Sequence, residues 1–229
     1  MLNFLDTSNW QGGYNPALTG ADAVIVKATE GTNYVDPYCD PTIQQAIVNG
    51  MPWGFYHFAG GGDATSEAAF FVDNCRNYFD QGTPVLDWEG NQGVDWVNSF
   101  VEYVHAQTGV WPWIYANPWR FNQGGVNPNC ARWVASYPDA VSPTWTQAQS
   151  WGCPAADGNV VAWQFCSDGI VNGIAGNVDL DLFYGTKEQW QAYARGDNGP
   201  VNDGNASGSD SDGVAVLEND TYKVTIERK

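Results

Sequence analysis

The segment Thr83-Pro84-Val85-Leu86-Asp87-Trp88-Glu89-Gly90 places two acids at the end of an apolar run. Side chains alternate along a strand, so residues two apart share a face. Asp87 and Glu89 are therefore expected on one side, about 7 Å apart along the strand, with Trp88 on the other. Neighbouring carboxyls push their pKa values apart, so one can stay protonated while the other is ionised. Glycoside cleavage divides labour in that way: one carboxylic acid protonates the leaving oxygen and a second group deals with the oxocarbenium-like centre. The plain alternative is a solvated strand end with two ordinary acids. The apolar residues before the pair and the glycine after it favour the chemical reading.

Two further acids fit the pattern. Asp6 follows Asn3-Phe4-Leu5, and Asp179 lies in Asn177-Val178-Asp179-Leu180-Asp181. Asp179 and Asp181 would share a strand face and compete for one role. For Asp6 alone, a turn or cap role beside Thr7 and Ser8 is the competing reading.

Elements must exist to bring these acids together. Strand-like apolar runs occur near 2–6, 23–28, 53–58, 84–89, 111–116, 132–136, 160–166 and 178–183, and amphipathic helical stretches near 41–49, 64–79, 94–107 and 187–194. Asp40-Pro41 reads as an N-cap followed by proline at the first helical position, and Gly50 as the helix stop. Eight strands with interspersed helices predict an α/β fold. Helices are fewer than strands and 117–159 is Pro-rich, so the expectation is an irregular TIM-like barrel with eight strands and fewer helices than a full (β/α)8 barrel. Acids at the ends of the first, a middle and the last strand would converge at its mouth, since first and last strands are neighbours in a closed barrel.

Residues 1–195 form the expected barrel domain. From 196 to 213 the chain is nearly all Gly, Asn, Asp, Ser and Pro, a flexible-linker composition. Residues 214–229 alternate apolar and polar side chains, as one or two strands of a stub too small to fold alone, expected to be the remnant of a truncated wall-binding module or a tail that pairs with something else. The N-terminus has no basic region followed by an apolar stretch, so a chain made in the cytoplasm without a signal peptide is expected. No apolar run approaches a membrane span.

The net charge of -17, from 26 acids and 9 bases, argues against nucleic acid and against an anionic membrane surface as partners. Twelve Trp, eleven Tyr and ten Phe supply flat amphipathic faces suited to sugars, or simply a core rich in large rings. Five cysteines at wide spacings, without a CxxC or Cys/His pattern, read mostly as small buried hydrophobes. Neither a metal nor a cofactor is expected.

Seven segments, in order along residues 3–195, resemble glycoside hydrolase family 25, the Chalaropsis-type lysozymes. They are Asp6-Thr7-Ser8-Asn9-Trp10-Gln11-Gly12, Val24-Ile25-Val26-Lys27-Ala28-Thr29-Glu30-Gly31, Gly54-Phe55-Tyr56-His57-Phe58, Asp87-Trp88-Glu89, Trp133-Val134-Ala135-Ser136-Tyr137, Trp163-Gln164-Phe165 and Gly176-Asn177-Val178-Asp179-Leu180. The resemblance implies an N-acetylmuramidase that cleaves the β-1,4 bond between N-acetylmuramic acid and N-acetylglucosamine, with bacterial peptidoglycan as partner. It maps the acidic cluster onto Asp6, Asp87, Glu89 and Asp179, with Glu89 as general acid. Retention assisted by the substrate's 2-acetamido group would leave Asp87 or Asp179 to orient that group. Tyr56, Tyr115, Trp133, Tyr137 and Gln164 look similar to cleft-lining residues of the family, with barrel core as the competing role for Tyr115 and Trp133. His57 looks like a packing residue, His105 like a surface residue, and Lys27 with Glu30 like a structural ion pair. The type also fits a phage endolysin, released to the wall through membrane holes made by a holin-type protein, or a bacterial autolysin.

Two other classes remain in view. A non-catalytic glycan-binding barrel would suit the aromatic content, but a degenerate binder should have lost at least one acid. A chitinase-like glycosidase would need a D-x-x-D-x-D-x-E run, which is absent around Glu89.

Overall fold

A computed structural model describes residues 1–196 and, further along, the strands Val214–Asn219 and Tyr222–Glu227. Eight strands close into a barrel: β1 (Leu2–Thr7), β2 (Ala23–Glu30), β4 (Trp53–Phe58), β5 (Thr83–Asp87), β6 (Trp113–Ala116), β7 (Arg132–Ala135), β8 (Val160–Gly169) and β9 (Val178–Phe183). The two-residue strand β3 (Tyr34–Val35) only extends the edge of β2. The first seven barrel strands run parallel to their neighbours, and β9 closes the ring antiparallel to both β8 and β1. All eight strand expectations are met.

Strands buried on both faces need apolar residues on both. Phe4, Ile25, Val85, Trp113, Trp133 and Phe183 pack together inside the barrel. Their neighbours Leu5, Val24, Val26, Leu86, Ile114 and Val134 pack outward under the helices. Four helices of eight residues or more match the sequence reading: α1 (Cys39–Val48), α2 (Ala64–Cys75), α3 (Val94–Thr108) and α6 (Lys187–Ala194). In α3, Val97, Phe100, Val101 and Val104 form the buried stripe, and Gly109 ends the helix at φ +77°, where a side chain would be strained. Two four-residue helices, α4 (Pro118–Phe121) and α5 (Trp145–Ala148), occupy the stretch read as irregular. Each is fixed by a side-chain N-cap, Asn117 or Thr144.

Three expectations need correction. Asp40 is not the cap of α1: the helix begins at Cys39 after Tyr38, and the Asp40 carboxylate instead accepts hydrogen bonds from Gln44 and the Tyr78 hydroxyl. Asp36 takes over the preceding turn, accepting from the Tyr38 and Cys39 backbone amides. Glu89 is not on a strand, since β5 ends at Asp87. His105 is half-buried, stacked on Trp111 at 3.9 Å between ring centroids.

The cysteines are all free thiols, four of them buried. The linker reading falls almost wholly on 197–213, outside the described residues. Beyond it, Val214–Asn219 and Tyr222–Glu227 pair as an antiparallel hairpin.

Candidate active site

One mouth of the barrel holds a cleft of roughly 270 Å³. Its walls include every residue singled out from the sequence: Asp6, Asp87, Glu89 and Asp179, with Tyr56, Tyr115, Trp133, Tyr137 and Gln164. Strand direction explains the convergence. Asp6 and Asp87 sit at the C-terminal ends of β1 and β5, the rim at which α/β-barrel sites form. Asp179 sits near the N-terminal end of β9, and because β9 runs antiparallel this is the same rim. Asp6 and Asp179 face each other directly in the β1–β9 register, about 4.5–5.5 Å apart between Cα atoms. Alternation on β9 points Asp181 to the same side but one layer deeper, where it is completely buried.

A polar network ties this floor together. Tyr115 and Tyr137 both donate from their hydroxyls to Gln164 Oε1, at 2.7 and 2.5 Å. Gln164 Nε2 donates to Asp6 Oδ2 at 2.7 Å, and Trp133 Nε1 donates to Asp181 Oδ1 at 2.9 Å. Asp181 Oδ2 meets no conventional donor. Burial, then the Asp6 and Asp179 charges, raise the Asp181 carboxyl well above the carboxylate range. Tyr115 and Trp133 are thus both core and cleft wall, being nearly inaccessible yet bonded into the site.

Burial dominates the electrostatics. It pushes Asp6 up to about 6, against hydrogen bonds from Gln164 and Asp181 that stabilise its ionised form. It pushes Asp179 up to about 8, with the Asp6 and Glu89 charges adding to the effect. Asp87 is raised well above the carboxylate range by burial, then by Glu89 and Asp6, with Lys27 opposing. Its Oδ1 is buried without a partner. Glu89 differs from the rest: it is exposed by surface area, yet nearby protein atoms desolvate its carboxyl enough to raise its pKa, against the Arg120 and Lys27 charges. The site therefore offers one carboxyl with a raised pKa at a wet lip, above several buried ones.

Some site residues were not anticipated as such. Lys27 lines the cleft as well as pairing with Glu30 at 2.5 Å, and its ammonium lies 4.7 Å over the Phe58 ring. Its inward alternation with Ala23 and Ile25 was a usable signal. Trp10, 85% exposed, stands on the wall after β1. Arg120 carried no sequence signal. From α4 it stacks over Trp88 at 5.0 Å and donates from Nη2 to the backbone carbonyls of Glu89 and Gly90, each at 2.6 Å. His57 packs outside the cleft, with Nδ1 on Thr29 Oγ1 at 2.8 Å and Nε2 on Glu67 at 3.1 Å. Glu67 accepts from the Gly60 and Gly62 amides, so the pair braces the β4–α2 loop. Among the described residues, no group of three or more His, Cys, Asp or Glu side chains is arranged to hold a metal ion.

A family model described as "Glycosyl hydrolases family 25" matches residues 5–174. Lysozyme M1 of Streptomyces globisporus is 30% identical over 221 residues, spanning 83% of this chain and 70% of its own. The autolytic lysozyme of Clostridium acetobutylicum is 30% identical over 172 residues, 72% of this chain, which spans about half (49%) of that protein's length. The crystal structure of the bacterial lysozyme from Streptomyces coelicolor superposes with a TM-score of 0.69 at 26% identity, covering 85% of this chain and 97% of its own. With the family match spanning most of the barrel, including Asp6, Asp87 and Glu89, the chain belongs to glycosyl hydrolase family 25.

Proposed function

We propose that this chain hydrolyses the β-1,4 bond between N-acetylmuramic acid and N-acetylglucosamine in bacterial peptidoglycan, acting at the cell wall with Glu89 as general acid. The observation that carries the proposal is the convergence of four carboxyls on one aromatic-walled cleft, with only Glu89 of the four at the exposed lip. A proton donor must reach the glycosidic oxygen, and its raised pKa keeps Glu89 protonated closer to neutrality.

Glu89 gives its proton to the leaving oxygen as the bond from C1 to that oxygen breaks. The acetamido carbonyl oxygen of the same sugar bonds to C1 from the opposite face. Water then attacks C1, Glu89 takes back a proton from it, and the acetamido group is released with configuration retained. Asp87 suits orientation of the acetamido group better than attack. A carboxyl that burial holds protonated is a weak nucleophile, and its unpartnered Oδ1 is free to accept the acetamido N–H. Ionised Asp6 would balance positive charge developing at C1.

Digestion of purified peptidoglycan, with mass spectrometry of the fragments, tests the reading. Muramic acid at the new reducing ends is expected, and its loss in Glu89→Gln. Glucosamine reducing ends, peptide-stem cuts, or full activity of Glu89→Gln would overturn it. Binding of the wall without cleavage at any pH would favour a glycan-binding barrel instead.

A further inference from the structure

A second cavity, of about 280 Å³, is lined by the residues on either side of Glu89 in sequence. Glu89 lines the catalytic cleft while its neighbours Trp88 and Gly90 line this pocket, so the acid stands on the ridge between the two. The remaining walls include Trp119, Arg120, Gln123, Asn91 and Gln92. Trp119 leaves 67% of its surface in water, a large apolar cost for a side chain on a short helix fixed by its Asn117 cap. Gln92 donates from Nε2 to the Ala59 carbonyl, while its Oε1 is buried with no partner.

We propose that this pocket is a distal saccharide subsite, occupied by a sugar of the same glycan strand further along from the scissile bond. The inference rests on reading the cleft as glycan-cleaving. A flat aromatic face covers the C–H side of a pyranose, and amides at the rim answer its hydroxyl and acetamido groups. The exposed Asn91 and Gln123 amides at the rim would meet a sugar hydroxyl or acetamido group. The Arg120 guanidinium is already engaged with two backbone carbonyls and the Trp88 ring, so it serves as floor and not as an anion receptor. An uncharged polymer segment therefore fits the pocket better than a peptide carboxylate. A strand crossing the Glu89 ridge reaches both cavities at once.

The test compares binding of peptidoglycan glycan oligosaccharides of four and eight sugars by calorimetry, using Glu89→Gln so that nothing is cut. The longer oligosaccharide should bind more tightly to Glu89→Gln, and about tenfold of that gain should vanish in Glu89→Gln/Trp119→Ala. Glu89→Gln/Trp119→Phe, which keeps an aromatic face, should retain most of it. Glu89→Gln/Gln123→Ala, a small change on an exposed side chain, gives a second reading of the same pocket if the alanine at 119 lowers folding. An equal length-dependent gain in all four proteins, or no gain in the Glu89→Gln parent, would overturn the subsite. The parent enzyme's cleavage of peptidoglycan is measured separately. If cleavage fails while the Trp119-dependent gain persists, the proposed reaction falls and the subsite stands.

Discussion

The two ends of the barrel interior are built from opposite materials. Where the parallel strands begin, Phe4, Trp113 and Phe183 meet Trp190 of α6, with ring centroids 5.2–5.4 Å apart. Trp190 also donates from its indole to the Trp53 carbonyl at 3.1 Å, so the last helix plugs that end and is anchored there. Where the same strands finish, the interior positions hold Asp6, Asp87, Asp179 and Asp181, with Lys27 the sole Lys or Arg among the described cleft-lining residues. One end gains stability by removing large rings from water. The other places carboxyls where burial disfavours their charge and leaves Asp87 Oδ1 unpaired. Stability is concentrated at the closed end and spent at the open one, as expected where a site needs perturbed acids.

The sharpest way to separate the ends is a pair of substitutions. Glu89→Gln should lower reducing-end release from peptidoglycan by about 10²–10⁴-fold, the range for a general acid, with the melting temperature nearly unchanged because the side chain is exposed. Trp190→Ala should do the reverse, costing roughly 3–5 kcal/mol in urea unfolding while the folded fraction keeps its specific activity. A large activity loss per folded Trp190→Ala molecule would show the two ends to be mechanically coupled.

The open end should also give stability an unusual pH dependence. Asp6 and Asp179 are raised to about 6 and about 8, above their ordinary 3.8. Between pH 4 and 8 the folded chain therefore holds protons that the unfolded chain has released, so stability is fully present below pH 4 and is lost as pH rises through that window. From Asp6 alone the effect is of order 3 kcal/mol. Urea midpoints at pH 5 and pH 8 check it. The chain should be more stable at pH 5, and Asp179→Asn should flatten the slope. Greater stability at pH 8 would mean that the acids find more compensation than burial allows.

The same contrast explains what could be read from sequence. The closed end and the strands were legible because residues buried on both faces leave continuous apolar runs such as Val24-Ile25-Val26. The acids were legible because they interrupt those runs at their ends. The direction of β9 was not, since antiparallel and parallel closure leave the same apolar pattern. Asp179 reaches the rim from the beginning of its strand, where Asp6 and Asp87 reach it from the end. The helices α4 and α5 are too short for a 3.6-residue period to show. Arg120 rides on α4, and its contacts with Trp88, Glu89 and Gly90 span some thirty positions in sequence, so nothing local to Pro118-Trp119-Arg120 marks it.

Arg120 offers the smallest and most discriminating effect. Its charge lowers the pKa of Glu89 while its two hydrogen bonds hold the backbone that carries Glu89. Removing the charge lets Glu89 keep its proton to higher pH, so the basic limb of the kcat/KM profile should move upward in Arg120→Ala. The move should stay within about one pH unit, because the Glu89 carboxyl is exposed and the interaction screened. Arg120→Lys keeps the charge but gives up the planar guanidinium that stacks on Trp88 and serves both carbonyls. Its limb should stay near that of the parent while kcat falls several-fold. If both variants lose kcat equally with unmoved limbs, Arg120 acts by position alone. If only the limb moves, the acid holds its place without it, and the lip of the cleft is stiffer than its exposure implies.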